Sequence, residues 1–206
     1  MQKATREGVA LVSMVAMIVI RMAKNVRHVR NNYVRTFLNL LMHNKCMENY
    51  VTIDGLRLKR KVRAIITTRS MKFLLIRPHG YDEDSWTFLG GGVEEGETEM
   101  KALNRELREE ANIHTTSHVQ RSKIVNWFAF SKEFKEKKGF DYDGQHASYF
   151  HVVVPDETVV RIQEEEVAAF CWCNYHDVLK RIKVPVHNDI FQQIATEFDL
   201  SNARLL

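Results

Sequence analysis

Apolar and polar residues alternate through Tyr50-Val-Thr-Ile53, pass the dipeptide Asp54-Gly55, and alternate again through Leu56-Arg-Leu-Lys-Arg60. Alternation on either side of an Asp-Gly pair predicts a β-hairpin. Val62–Thr67 and Lys72–Arg77, joined by the short polar turn Thr68–Met71, predict a second strand pair. Apolar-rich runs near Val119–Phe130, Ser148–Val154 and Val167–Trp172 predict further strands. The period changes to that of a helix over Met100–Glu110, where Ala102, Leu103 and Leu107 make one apolar side among good helix formers and no proline. Thr98 is placed to cap its start, and Asn112 falls where a left-handed residue just past the end is expected. Two further helices are predicted at Asn174–Ile182, after an Asn174 cap, and at Asp189–Phe198. Lys132–Gly144, charged and containing glycine, reads as a flexible loop. The pattern is that of an α/β domain with a mixed sheet between helices.

Composition adds a boundary to this picture. The chain has 206 residues, suiting one domain with an extension, and its apolar fraction of 45% is ordinary for a globular core. Residues 1–46 carry eight Lys/Arg against one acid, Glu7. Of the 30 basic and 26 acidic residues in the chain, residues 47–206 therefore keep 22 and 25. The overall charge of +4 belongs to the N-terminal segment, so it is no argument that the remainder binds nucleic acid, and none is expected for residues 47–206. The expected organisation is a basic, partly apolar extension over 1–46 and a folded domain over 47–206.

Within the extension, Val9–Ile20 is apolar between Arg6 and Arg21. It is short for a bilayer span, which takes about 20 residues. It has the length of a signal-peptide core, but no small-residue cleavage site follows it. A targeting or membrane-associating segment, a helix packed on the domain and a non-native upstream segment are all compatible with it. Three cysteines, Cys46, Cys171 and Cys173, are too few for a disulfide framework and point to a reducing compartment. The expected location is cytoplasmic, with organelle targeting or membrane association through 1–46 as the alternative. Cys171-Trp172-Cys173 places two thiols on one strand face, where buried packing is the commoner role and half of a soft-metal site the rarer.

Candidate chemistry lies in the predicted helix. Glu106, Glu109 and Glu110 stand at i, i+3 and i+4 and share one helix face. Such a cluster, taken alone, is usually a solvated acidic face. It is also what a hard divalent cation takes, with oxygen ligands and room for water and phosphate. No Walker-type glycine-lysine motif and no His-Glu-x-x-His motif offers a phosphate loop or a zinc site instead.

The setting decides between the two. Gly91 is followed by five residues and Glu97, then by seven and Arg105-Glu106, with Leu107, Glu109-Glu110 and Ile113 completing the pattern. This segment resembles the Nudix box, G-x5-E-x7-R-E-U-x-E-E-x-G-U with U aliphatic, and departs from it only where Asn112 replaces the second glycine. Trp86-Thr-Phe-Leu89-Gly90-Gly91 is similar to the usual W-x-x-P-G-G entry, with Leu89 where proline is common. The resemblance covers about Val62 to Phe198 and implies a Nudix-type α/β/α sandwich. It implies a hydrolase that splits a nucleoside diphosphate linked to another group, using Mg²⁺ with Mn²⁺ as a substitute. By the same resemblance Glu109 and Glu110 ligate the metal and Glu106 is a further ligand or the base. Gly90 contributes a backbone contact, and Arg105 pairs with Glu97 to orient the box together with Gly91.

Many relatives add one acid from outside the box. Glu164, Glu165 and Glu166 are the first candidates here, and Asp141 and Asp143 the second. Trp127, Phe128, Tyr149 and His151 could face a base, though core packing is the commoner role for each. The ADP-ribose-directed proline and the dinucleoside-polyphosphate tyrosine are absent from Trp127–Ser131. By elimination a (deoxy)nucleoside triphosphate pyrophosphohydrolase is expected. An ADP-sugar or dinucleoside polyphosphate hydrolase is the runner-up, and a silent nucleotide-sensing or protein-binding module the alternative of another class. The oligomeric state stays open.

Overall fold

The hairpin predicted around Asp54-Gly55 is present in the computed structural model, which describes residues 48–114 and 116–201. Asp54 and Gly55 both have positive φ, 50° and 80°, as a two-residue hairpin turn requires. Strand β1 (Tyr50–Ile53) lies antiparallel to β2 (Leu56–Thr68). The sequence pattern divides β2 at Lys61, but the strand runs unbroken. β5 (Gly144–Val154) pairs with it in parallel from Leu58↔Gly144 to Thr68↔Val154, so ladder bonding continues past Lys61. β3 (Phe73–Pro78), β4 (His118–Ala129) and β6 (Val167–Cys173) complete a mixed sheet in the order β4-β5-β2-β3-β6, with β1 on β2 besides.

Two layers of helix cover the sheet. α1 (Glu99–Ala111) packs Ala102, Leu103 and Leu107 on one face, against Val62, Ala64, Ile66, Leu74 and Ile76. On the other face Ile65, Phe73, Leu75 and Tyr149 meet Val178 of α3 (Tyr175–Arg181) and Ile190, Phe191 and Ile194 of α4 (Pro185–Glu197). The expected α/β/α sandwich is the observed fold. Asn174 caps α3 as its sequence predicts, accepting from Asp177 N. α4 begins at Pro185 rather than Asp189, because proline's fixed φ and missing N–H suit a first helical turn.

Residues 132–144 differ from expectation: they are ordered, not a flexible loop. Ser131 caps α2 (Lys132–Lys138) and Gly139, at φ 65°, ends it in the left-handed conformation. Phe130 is the centre of a small aromatic cluster, its ring 5.1 Å from Phe134, 5.4 Å from Phe140 and 5.9 Å from Tyr142. Those rings replace the apolar stripe that the lysine-rich helix lacks. Asp143 pairs with Lys135 and Asp141 with Arg57, so both acids serve this corner.

Further back along β4, at the same border of the sheet, α4 is tied to this strand. Ser122 donates a short hydrogen bond to Glu197, and Lys123 N donates to Glu197 Oε1 at 2.9 Å. Cys171 and Cys173 pack in the second core; the Cys173 thiol hydrogen-bonds Cys171 and draws it down to about 7, while that same bond and burial push Cys173 up. Among the described residues no helix is long and apolar enough to cross a membrane. The three readings of residues 1–46 lie outside the described residues.

His151, buried in β5, shares a 2.8 Å hydrogen bond with Thr67 Oγ1, and burial holds it down at about 4. Its folded value is below the unfolded one, so its neutral form favours the fold. The stability it supports is present above about pH 6.5 and is lost as pH falls toward 4. The loss reaches about 3 kcal/mol only below about pH 4, where the folded chain is protonated as well. His151→Gln should flatten the stability–pH curve between those limits in urea titrations; an unchanged curve would show the group does not titrate this way.

Candidate active site

The site is built where β2 loses its neighbours. β1 pairs with it only as far as Lys59, and β3 meets it only at Thr67↔Phe73. The segment from Thr87 to Val93 runs into this gap. Val62 N donates to Gly91 O at 3.0 Å, Ala64 N to Leu89 O at 2.8 Å and Val93 N to Arg60 O at 2.9 Å. Leu89 is fully buried in the core on the α1 side, so the residue found where proline is common fastens the loop by packing. Gly90, at φ 141°, comes so close that a Cβ would stand 2.1 Å from Val62 O. A Cβ on Gly91 would meet Glu106 Oε1 at 2.0 Å. The glycines are therefore a requirement of close approach between loop, strand and helix.

α1 delivers the acids. Thr98 Oγ1 accepts from Lys101 N at 3.0 Å, and Asn112, at φ 54°, donates its N–H to Arg108 O at 3.0 Å, both as predicted. Glu106 and Glu110 turn inward and are buried, 6% and 9% exposed. Glu110 Oε2 accepts from Gly90 N at 2.9 Å. Burial pushes Glu110 up to about 7 against that bond, and the charges of Glu106 and Glu166 add to the rise. Burial likewise raises Glu106.

Arg105 is the hub. It donates to Glu97 twice at 3.1 Å, to Glu106 Oε1 at 2.8 Å, to Glu109 Oε2 at 3.0 Å and to Gly92 O at 2.7 Å. Glu97 is held low by Arg105 in spite of burial. The orienting pair expected from the box is therefore present in the geometry, and it extends to two more acids.

The remaining predicted residues divide. Glu164, Glu165 and Glu166 are all exposed. Glu166 alone of them bears on Glu110, held in place where His79 N donates to its carbonyl at 3.0 Å. Asp141 and Asp143 belong to the aromatic corner instead. Tyr149 and His151 are core, whereas Trp127 and Phe128 are about 40% exposed, so the packing role does not hold for those two. Gly90 O accepts from Arg63 at 2.7 Å, so this carbonyl, expected to contact a metal, is engaged by a guanidinium.

Lys61 and Arg63 were not anticipated. Both project toward the glycine loop, and Lys61 feels the charges of Glu106 and Glu110. The only sequence signal for them was Lys59, Lys61 and Arg63 recurring at every second position of a strand.

Two buried carboxylates, Glu106 held by the Arg105 guanidinium and Glu110 by Gly90 N, form an oxygen donor set that fits a hard divalent cation, which would relieve their mutual repulsion. Among the described residues no three acidic, histidine or cysteine side chains converge on ligand geometry, and Glu109 is turned onto Arg105. The donor chemistry fits; the third carboxylate is engaged elsewhere.

The NUDIX domain model matches residues 57–194. The chain belongs to the Nudix family. Membership makes this Nudix chain a hydrolase, and it accounts for the glycine loop, the Arg105 hub and the inward acids as one unit. The chain is 33% identical over 119 residues to an RNA pyrophosphohydrolase of Helicobacter pylori, covering 56% of this chain and 75% of that one. Its fold is similar to that of the E. coli dihydroneopterin triphosphate pyrophosphohydrolase, with a TM-score of 0.57 and 20% identity over 67% of this chain and 95% of that one. A C. elegans Ap4A hydrolase is similar at a TM-score of 0.51 and 20% identity over 68% and 98%. At that identity the two structures speak for the Nudix fold alone.

Proposed function

We propose that this Nudix domain splits a nucleoside 5′-triphosphate into the monophosphate and pyrophosphate with Mg²⁺, Mn²⁺ substituting. The observation that carries it is the pair of buried acids, Glu106 and Glu110, at a glycine loop that Lys61 and Arg63 also reach. Carboxylates and cations gathered at one closely packed loop suit a metal and the phosphate oxygens it would neutralise. When bound, the metal neutralises phosphate oxygens and lowers the pKa of its water.

The chain's own residues then have separate tasks. Glu106, Glu109 and Glu110 would hold the cation, and Glu106 would also serve as the base for the attacking water. Arg105 and Glu97 keep the helix face aligned to the loop. Arg63, fixed on Gly90 O, steadies the backbone beside the scissile group. Glu166 is the additional acid, and Glu165 is its weaker rival. Catalysis is assigned to residues 47–206 and to a cytoplasmic setting.

A second reading is favoured by the name of the Helicobacter pylori relative: the same bond cut at the 5′ end of an RNA. The headgroup chemistry is identical, so the chain that follows the first nucleotide separates the two. The test is turnover of free (deoxy)nucleoside triphosphates, a 5′-triphosphorylated oligoribonucleotide, a dinucleoside tetraphosphate and an ADP-sugar, each with Mg²⁺ and with chelator. Pyrophosphate released from a triphosphate headgroup only when metal is present is the expected result. Exclusive cleavage of the dinucleotide or the sugar conjugate would replace the reading, and binding without turnover of any substrate would favour the silent module.

A further inference from the structure

Strand alternation sends Lys59, Lys61 and Arg63 out of the same face of β2, about 6.6 Å apart in succession. They follow the glycine loop from end to end. A Cβ on Gly92 would meet Lys59 Cε at 3.2 Å and lie 4.0 Å from both Lys59 Nζ and Lys61 Nζ, and at the other end Arg63 donates to Gly90 O. The absent side chain at Gly92 makes the room through which the two lysines pass.

Other cations nearby are matched by acids. Arg60 and Arg121 pair with Glu99 at 2.9 Å each, and Arg57 pairs with Asp141 at 3.1 Å. Among the described residues, no ion pair holds Lys59, Lys61 or Arg63. Lys59 instead lies 5.0 Å from the Tyr50 ring centroid. Lys61 is only partly exposed, and burial and its two basic neighbours already press against its charge. Three adjoining cations outside any ion pair, one of them half-buried and offset only at a distance by Glu106 and Glu110, are costly in the free protein. That cost is removed by an anion that repeats its charge along a line.

We propose that Lys59, Lys61 and Arg63 form a rail for the phosphate chain of the substrate, with Lys59 engaging the phosphoryl group farthest from Gly90 and so selecting three phosphates over two. The inference rests on the triphosphate reading above. Arg63 and Lys61 meet the phosphoryl groups beside the box acids; Lys59, two positions further along β2, is out of reach of a shorter chain. The competing role for the three is mere neutralisation of Glu106 and Glu110, which would take no account of chain length.

Inorganic tripolyphosphate and pyrophosphate, titrated calorimetrically into the full chain with Mg²⁺, isolate the rail from the nucleoside. The expected result is tighter binding of tripolyphosphate by the native protein. Lys59→Met, which keeps the apolar stem against Gly92, should weaken tripolyphosphate about tenfold and leave pyrophosphate within about twofold. Lys61→Met should weaken both. Equal binding of the two anions by the native chain, or an equal effect of Lys59→Met on both, overturns the rail. The triphosphate reading fails by a different route, when the native protein turns over no triphosphate headgroup whatever the anions do.

Discussion

Glu109→Gln should lower turnover about a thousandfold, roughly 4 kcal/mol in the barrier, and leave the fold in place. The two halves of that expectation have different origins. Glu109 stands on the acid face of α1, but its side chain is 51% exposed and its one charged partner is Arg105. An exposed pair of this kind contributes little to stability, about 0–1 kcal/mol, and glutamine keeps the shape. The lost quantity is the negative charge that a cation would use. Turnover is read with Mg²⁺ at saturation on whichever triphosphate the native protein cleaves, beside a urea titration. A variant within tenfold of the native rate would remove Glu109 from the ligand set, leaving the buried pair Glu106 and Glu110 to hold the metal.

The second large effect is on the backbone. Gly90→Ala should cost about 4 kcal/mol of stability, because it adds left-handed strain to an overlap with Val62 O at 2.1 Å. Neither strand nor loop has slack there: Ala64 N is bound to Leu89 O, and Gly90 N to Glu110. Activity should fall with it, since shifting the loop moves the partner of Glu110. Gly96→Ala is the comparison. Gly96 has φ 77° but open space around it, so only the backbone term of about 1 kcal/mol applies. Urea midpoints of the two variants that coincide would show that the close approach at Gly90 is relieved by a small adjustment.

Much of the scaffold around α1 was legible because its signals are local. Thr98, Asn112 and Asn174 act on N–H groups within a few residues, and each has the role its type and place predict. The box acids were legible through spacing, which fixes a helix face without knowledge of the rest of the fold. Where reading failed, the deciding partner is distant in sequence. Lys132–Lys138 looks like a solvated loop until Phe130, Phe140 and Tyr142 close over Phe134. β2 seemed to stop at Arg60 because its continuity is supplied by β5, more than 80 residues away. Nothing in the sequence near Lys61 and Arg63 announces that Thr87–Val93 will take the edge left between β1 and β3. Arg105 was foreseen as Glu97's partner, but its additional grip on Glu106, Glu109 and Gly92 is a property of the folded loop.

Glu197 covers part of a sheet border that would otherwise be open to other chains. β4 is a border strand, and its ladder with β5 slips between Arg121 and Val125, which leaves main-chain donors turned outward. Such donors recruit any extended chain that arrives with free carbonyls. The carboxylate at the end of α4 already occupies Ser122 and Lys123 N, and it brings a negative charge to the spot where a foreign carbonyl would dock. Shortening the chain past Glu197 would be felt first as aggregation, well before the acids of α1 noticed.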